Sequence, residues 1–132
     1  MSEYTISKDI YKKIKAHAEK DAPIEACGYL GGKEKSITNL FEMQNVDKSP
    51  VHFSFDPKEQ FNVVKEARKL DIKLIAVYHS HPETPARLSG EDIRLANDTD
   101  IIYIIYSCLE DNLKAFKVNE EKEIKEISLE VI

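Results

Sequence analysis

The fold is decided by the stretch Leu74-Ile75-Ala76-Val77-Tyr78-His79-Ser80-His81-Pro82. Its first five residues are a continuous apolar run of strand length, suited to the middle of a sheet covered on both faces. Polarity switches on at His79. Pro82 cannot donate to a ladder and releases the chain into a loop that also holds Pro85. In extended backbone, residues two apart point to the same side, so His79 and His81 can aim both imidazoles at one point.

Reading toward the N-terminus, Asp56-Pro57-Lys58-Glu59 is a helix start with an Asp cap, Pro at the first helical position and Glu three residues on. Phe61, Val64, Ala67 and Leu70 then mark the expected buried face. Ser36 to Met43 and Val51 to Phe55 read as strands around a polar turn at Asn45 to Pro50. Ala26 to Gly31 reads as a short buried strand closed by Gly31-Gly32. Between Ser7 and Lys20 the apolar positions Ile10, Ile14 and Ala18 recur every four residues behind a Ser7 cap, which predicts an amphipathic helix with His17 on its polar side. Reading toward the C-terminus, the pattern predicts a helix from Ser89 to about Asn97 and a buried strand from Ile101 to Cys108. Leu113 to Val118 and the alternating Ile127, Leu129 and Val131 make the last two strands. Helices interspersed with apolar strands, some joined by short turns, predict an α/β fold: a mixed β-sheet with helices packed on its faces, in one domain over residues 1–132.

The 132 residues are 42% hydrophobic and 33% charged, which excludes disordered and low-complexity classes. Nineteen basic against 24 acidic residues leave a net charge of -5, which argues against a nucleic-acid footprint or electrostatic docking to an anionic membrane. The N-terminal MSEYTISKDIYKK has no apolar core of a secretory signal, and the uncharged run Ile101 to Leu109 is about half a membrane span. Two cysteines, Cys27 and Cys108, are too few for a disulfide framework. A reducing cytoplasm is the expected compartment.

The chemistry centres on His79-Ser80-His81-Pro82 followed by Ser89-Gly90-Glu91-Asp92. If the loop folds back, Asp92 in the first turn of the next helix supplies a third ligand. Two imidazoles and a carboxylate suit a catalytic Zn²⁺ that keeps one position for water and lowers its pKa to about 7. Other readings remain open on the ligand types alone. Two histidines at a strand end can simply be hydrogen-bonded, Ser89 and Asp92 fit a capping box, and a non-haem iron triad uses the same ligands. The patterns H-E-x-x-H and H-x-E…P-C-x-x-C are absent.

His79-x-His81-Pro82-x6-Ser89-x2-Asp92, with Glu25 upstream on Glu25-Ala26-Cys27-Gly28-Tyr29-Leu30-Gly31-Gly32, resembles the JAMM motif of the MPN metallopeptidases. The order of helices and strands resembles that family over most of the chain. The resemblance implies an MPN/JAB1-like fold with cytidine-deaminase-like layering, and one zinc ion per chain held by His79, His81 and Asp92. It implies Glu25 as general acid/base and Ser89 as the group that steadies the oxyanion, with no other cofactor. By itself Glu25, after Pro23, would read as an exposed turn residue. Neither His17 nor His52 is assigned to the metal, Cys27 reads as a small core residue beside the site, and Tyr103 and Tyr106 as core or sheet-surface aromatics.

Members with the whole motif hydrolyse peptide or isopeptide bonds after the Gly-Gly tail of ubiquitin-like proteins. The compact chain resembles the small stand-alone prokaryotic members, which implies processing or recycling of a sulfur-carrier protein. The loop between His81 and Ser89 and the segment Phe41 to Phe53 are then the expected walls of a groove for that tail. Two alternatives belong to other classes: a non-catalytic MPN scaffold that binds protein partners, and a small-molecule metal hydrolase or iron oxygenase.

Overall fold

In chain order the elements are β1 (Tyr4–Ile6), α1 (Lys8–Asp21), β2 (Cys27–Lys33), β3 (Ser36–Met43), α2 (Pro57–Lys69), β4 (Lys73–His81), α3 (Gly90–Leu95), β5 (Ile102–Ser107), β6 (Asn112–Val118), β7 (Ile124–Ile127) and β8 (Leu129–Val131). They come from a computed structural model that describes residues 3–132, so the part of the no-signal reading that rests on Met1 and Ser2 lies outside the described residues. All eight strands join one sheet in the order β7-β6-β5-β4-β2-β3-β1-β8. Pairing is parallel for β4 with β5 and for β1 with both β3 and β8, and antiparallel elsewhere, so the sheet is mixed as expected. The apolar run lies at its centre, as β4 between β2 and β5.

β7 and β8 are separated only by Ser128, yet they lie on opposite edges of the sheet. The two edges therefore meet. The Tyr4 amide donates to the Ser128 carbonyl at 3.1 Å, and Lys117 Nζ on β6 lies 4.0 Å from a Glu3 carboxylate oxygen. The sheet coils until it is nearly closed, which leaves little free edge. The alternation of Ile127, Leu129 and Val131 predicts one strand where the structure has two, and no sequence pattern marks β1. Three-residue strands are too short to show a period, and only closure of the sheet gives them partners.

One face of the sheet carries α1. Ser7 caps the helix by accepting from the Ile10 amide at 3.2 Å, and Ile10, Ile14 and Ala18 bury against Ile6, Leu30, Tyr78, Ile102 and Ile104. His17 is not on a polar side. It is buried, with Nδ1 2.7 Å from the Tyr78 hydroxyl and Nε2 3.1 Å from Asp21. A phenol buried in the core needs a polar partner, and α1 supplies it.

The opposite face packs Ile105, Phe116 and Val118 under Ala86, Leu88 and Ala96, and α2 contacts β4 and β3. Asp56 caps α2 through the Lys58 amide at 3.1 Å, while Glu59 accepts instead from the Gln44 amide at 2.9 Å. The buried residues of α2 are Val63 and Ala67; Phe61 and Leu70 face outward. Residues three apart slide about 60° around a helix at each step, so the expected stripe of Phe61, Val64, Ala67 and Leu70 leaves the core side at both ends.

Residues 51–55 form no strand. β3 already pairs with β2 and β1 on its two sides, so no edge remains for them. The segment is instead an extended loop tied to Asn45, whose Nδ2 donates to the His52 carbonyl at 3.0 Å and whose Oδ1 accepts from the Ser54 amide at 3.3 Å. α3 has six residues and ends at Leu95, short of the expected Asn97.

Candidate metal centre

β4 ends in the two histidines, and both strands beside it hold them in register: Cys27 of β2 and Ile105 of β5 flank His79, and Ser107 of β5 faces His81. The Ser80 amide donates to the Ala26 carbonyl at 2.9 Å, and the Ala26 amide returns a bond to Ser80 Oγ at 2.8 Å. This pins the start of β2, and Glu25 with it, against the histidine pair. His81 Nδ1 lies 2.9 Å from the Pro85 carbonyl, which can only accept, so Nδ1 carries a proton and Nε2 is the nitrogen turned to the cluster. The His79 ring stacks on Phe53 with centroids 4.8 Å apart.

Asp92 arrives from α3. Ser89 Oγ accepts from the Asp92 amide at 3.1 Å, and Asp92 Oδ2 accepts from the Ser89 amide at 3.0 Å, a complete capping box. The same Oδ2 lies 3.2 Å from His79 Nε2 and 3.1 Å from His81 Nε2, and the two Nε2 atoms are 3.2 Å apart. Capping and convergence on the histidines are therefore not alternatives: one oxygen serves both.

Three ligating atoms crowded so closely repel unless a proton or a cation sits among them. Ligand atoms about 2.0–2.1 Å from a tetrahedral ion stand about 3.3 Å apart, close to the separations here. The donor set fits a small divalent ion. Burial works against ionisation of Asp92, but hydrogen bonds with His79 and His81 outweigh it and hold the carboxyl well below its usual range. For His81 burial acts to lower the pKa, and the bonds to Asp92 and the Pro85 carbonyl raise it overall.

Glu25 completes the cluster. It is 2% exposed, not a surface turn residue, and Glu25, His79 and His81 each bring a potential ligating atom within 4.8 Å of the others. Its Oε1 is buried without a hydrogen-bond partner, as is His79 Nδ1. Burial is the main cause that pushes the Glu25 carboxyl up to about 8; nearby Asp92 adds to the rise and His81 opposes it.

The family model described as prokaryotic homologs of the JAB domain matches residues 7–120. The chain belongs to this family. A CysO-cysteine peptidase of Mycobacterium tuberculosis is 36% identical to it over 104 residues, 77% of this chain and 71% of that protein. A desampylase of Pyrococcus furiosus is 30% identical over 108 residues, 82% of this chain and 76% of that protein. The solution structure of protein DSY2949 from Desulfitobacterium hafniense superposes with a TM-score of 0.90 at 37% identity, covering 98% of this chain and 92% of that one.

Beside the His–Asp cluster the JAB domain has a cavity of about 330 Å³, walled by Tyr29, Phe53, Phe55, Leu88, Leu95 and Tyr103. Of the two segments expected to wall a groove, His52, Phe53 and Leu88 line this cavity. The 52–55 loop forms one side, α3 and the residues leading to Ile101 form the other, and of the His81–Ser89 loop only Leu88 takes part. The far end of α3 is held by Lys122, whose ammonium donates to the Ala96 carbonyl at 2.8 Å and to Asn97 Oδ1 at 2.9 Å. Cys27 is a buried core residue whose thiol burial pushes up to about 12, so it offers no thiolate. Tyr106 is core, whereas the Tyr103 hydroxyl donates to the Asp98 carbonyl at 2.9 Å on the cavity wall. His17 is paired with Asp21 and His52 with Asp47; His52 lines the cavity, and neither belongs to the Glu25–His79–His81 group. Sequence reasoning placed Phe53 at the end of an expected groove wall but did not foresee its stacking on His79, and it gave Asn45 and Lys122 no role of their own.

Proposed function

We propose that this JAB domain is a zinc-dependent peptidase that cuts the peptide or isopeptide bond after the C-terminal Gly-Gly of a ubiquitin-like protein, processing or recycling a sulfur carrier in the cytoplasm. In this reading residues 1–132 act as one catalytic domain. The observation that carries it is the meeting of His79 Nε2, His81 Nε2 and Asp92 Oδ2 within 3.2 Å, beside a buried Glu25 with an unpartnered oxygen. Relatives named as a CysO-cysteine peptidase and a desampylase support the substrate class.

His79, His81 and Asp92 would hold the ion. A bound zinc supplies Lewis acidity and a water acidified to a pKa of about 7. Glu25 takes the proton from the attacking water through its free oxygen and delivers it to the leaving amine. Burial raises this carboxyl in the metal-free protein, and a dication held beside it would favour the ionised form that accepts the proton. Ser89 Oγ accepts in the capping box, which leaves its O–H to donate to the scissile carbonyl oxygen as negative charge develops there. A Gly-Gly tail, without side chains, can lie extended against the cluster, where bulkier residues would meet the Phe53 ring.

The test incubates purified protein with a ubiquitin-like carrier whose Gly-Gly end is extended by one residue or joined to a lysine, read by mass spectrometry alongside metal analysis. Zinc near one per chain and release of the extension are expected. Glu25→Gln should keep zinc and lose about 10²–10⁴ in kcat, Ser89→Ala about 10²-fold, and His79→Ala or Asp92→Ala should lose zinc as well. Absence of zinc under metal-replete conditions would favour the scaffold. Turnover of small amides with every Gly-Gly-tailed protein untouched would favour a small-molecule hydrolase.

A further inference from the structure

We infer that Asn45 is a positioning residue for Glu25, and that its side-chain amide makes the acid/base group and the aromatic wall of the cavity one unit. The inference rests on the peptidase reading above. Asn45 is 3% exposed, although it stands outside any helix or strand. An amide has two N–H donors, and both of its short donations go to main-chain carbonyls: Glu25 at 3.1 Å and His52 at 3.0 Å. Its oxygen accepts from the Asp47 and Ser54 amides at 3.1 and 3.3 Å. The Glu25 amide in turn donates to the Ser49 carbonyl at 2.9 Å. Both backbone polar groups of Glu25 are thus bonded to the 45–55 segment, not to the sheet.

The same segment carries Phe53, stacked on His79, and Phe55, which packs on Tyr29 with centroids 5.0 Å apart. One side chain therefore links the residue that moves the proton to the aromatic side chains lining the cavity. The ion-holding residues sit on β4 and α3, and none of them bonds to Asn45. Loss of the amide should release Glu25 and the loop while leaving the ion-binding trio in place.

Asn45→Asp keeps the shape and both acceptances but sets an oxygen against two carbonyl oxygens. Asn45→Ala removes the whole tie. Each zinc-loaded variant should show kcat at least tenfold below wild type per bound zinc, with zinc affinity, by chelator competition, within about threefold. Hydrogen exchange should accelerate at least tenfold at the Glu25 amide in both variants and at the Ser54 amide in Asn45→Ala, which loses its acceptor, while amides in the middle of β4 stay protected. If Asn45→Ala does not fold, Asn45→Asp carries the same comparison. Normal kcat per zinc in a folded variant would overturn the inference. So would a loss of zinc in step with activity, or failure of both variants to fold, since Asn45 would then be purely structural. Exchange separates the two proposals: accelerated Glu25 exchange in a protein whose wild type cuts no Gly-Gly-tailed carrier refutes the peptidase reading but not the tie.

Discussion

Glu25 shows how burial changes what a residue can do. With its carboxyl moved from 4.5 to about 8 by burial, the folded metal-free protein keeps a proton there that the unfolded chain releases above about pH 4.5. The stability from this group is full below pH 4.5 and is lost as pH rises toward 8. Glu25→Gln removes that loss. In chelator the variant should melt several degrees above wild type at pH 8, and the gap should close toward pH 4.5. A gap that does not depend on pH would show that Glu25 is ionised in the folded state. At this scale His79, His81, Ser89 and Asp92 were legible because their spacing is local: period two along a strand and an S-x-x-D helix start. Glu25 was legible only through resemblance, and His17 was misplaced because residue type alone puts a histidine on a polar face. Asn45 carried no signal, since its five partners span thirty positions of sequence, from Glu25 to Ser54.

Among the elements, β2 sets the distance between Glu25 and the histidines. Gly28 lies across from Tyr78, whose ring covers it: a Cβ there would meet the Phe41 carbonyl oxygen and come within 2.6 Å of Tyr78 Cε1. Gly28→Ala must push β2 away from β3 or tilt the Tyr78 ring, which also bonds His17. We expect a loss of about 2 kcal/mol or more in denaturant unfolding, with kcat reduced by displacement of Glu25. Unchanged stability would mean that the sheet absorbs a methyl group here at no cost. The helix starts at Ser7, Asp56 and Ser89 were all legible, because capping is local chemistry. Residues 51–55 have the composition of a strand but no free edge to pair with, and tertiary occupancy overrode propensity.

For the whole molecule, the largest apolar cluster lies on the α1 side of the sheet, and the cluster of His79, His81 and Asp92 on the other. Chelation should leave far-UV dichroism unchanged and lower the Tm. With zinc at about a thousand times its Kd the lost stabilisation is about 4 kcal/mol, a fall of roughly 10 °C or more. Loss of secondary structure on chelation would show instead that the ion is part of the core. The sequence by itself determined the α/β class, the central strand, the capped helices and the strand–loop–helix unit that presents two imidazoles and a carboxylate, because each depends on spacing within a few residues. Only the tertiary structure decided the near closure of the sheet at Ser128, the burial of Glu25 beside the histidines, and the cavity walls. These depend on pairings between distant segments, and no local period records which strand will lie beside which.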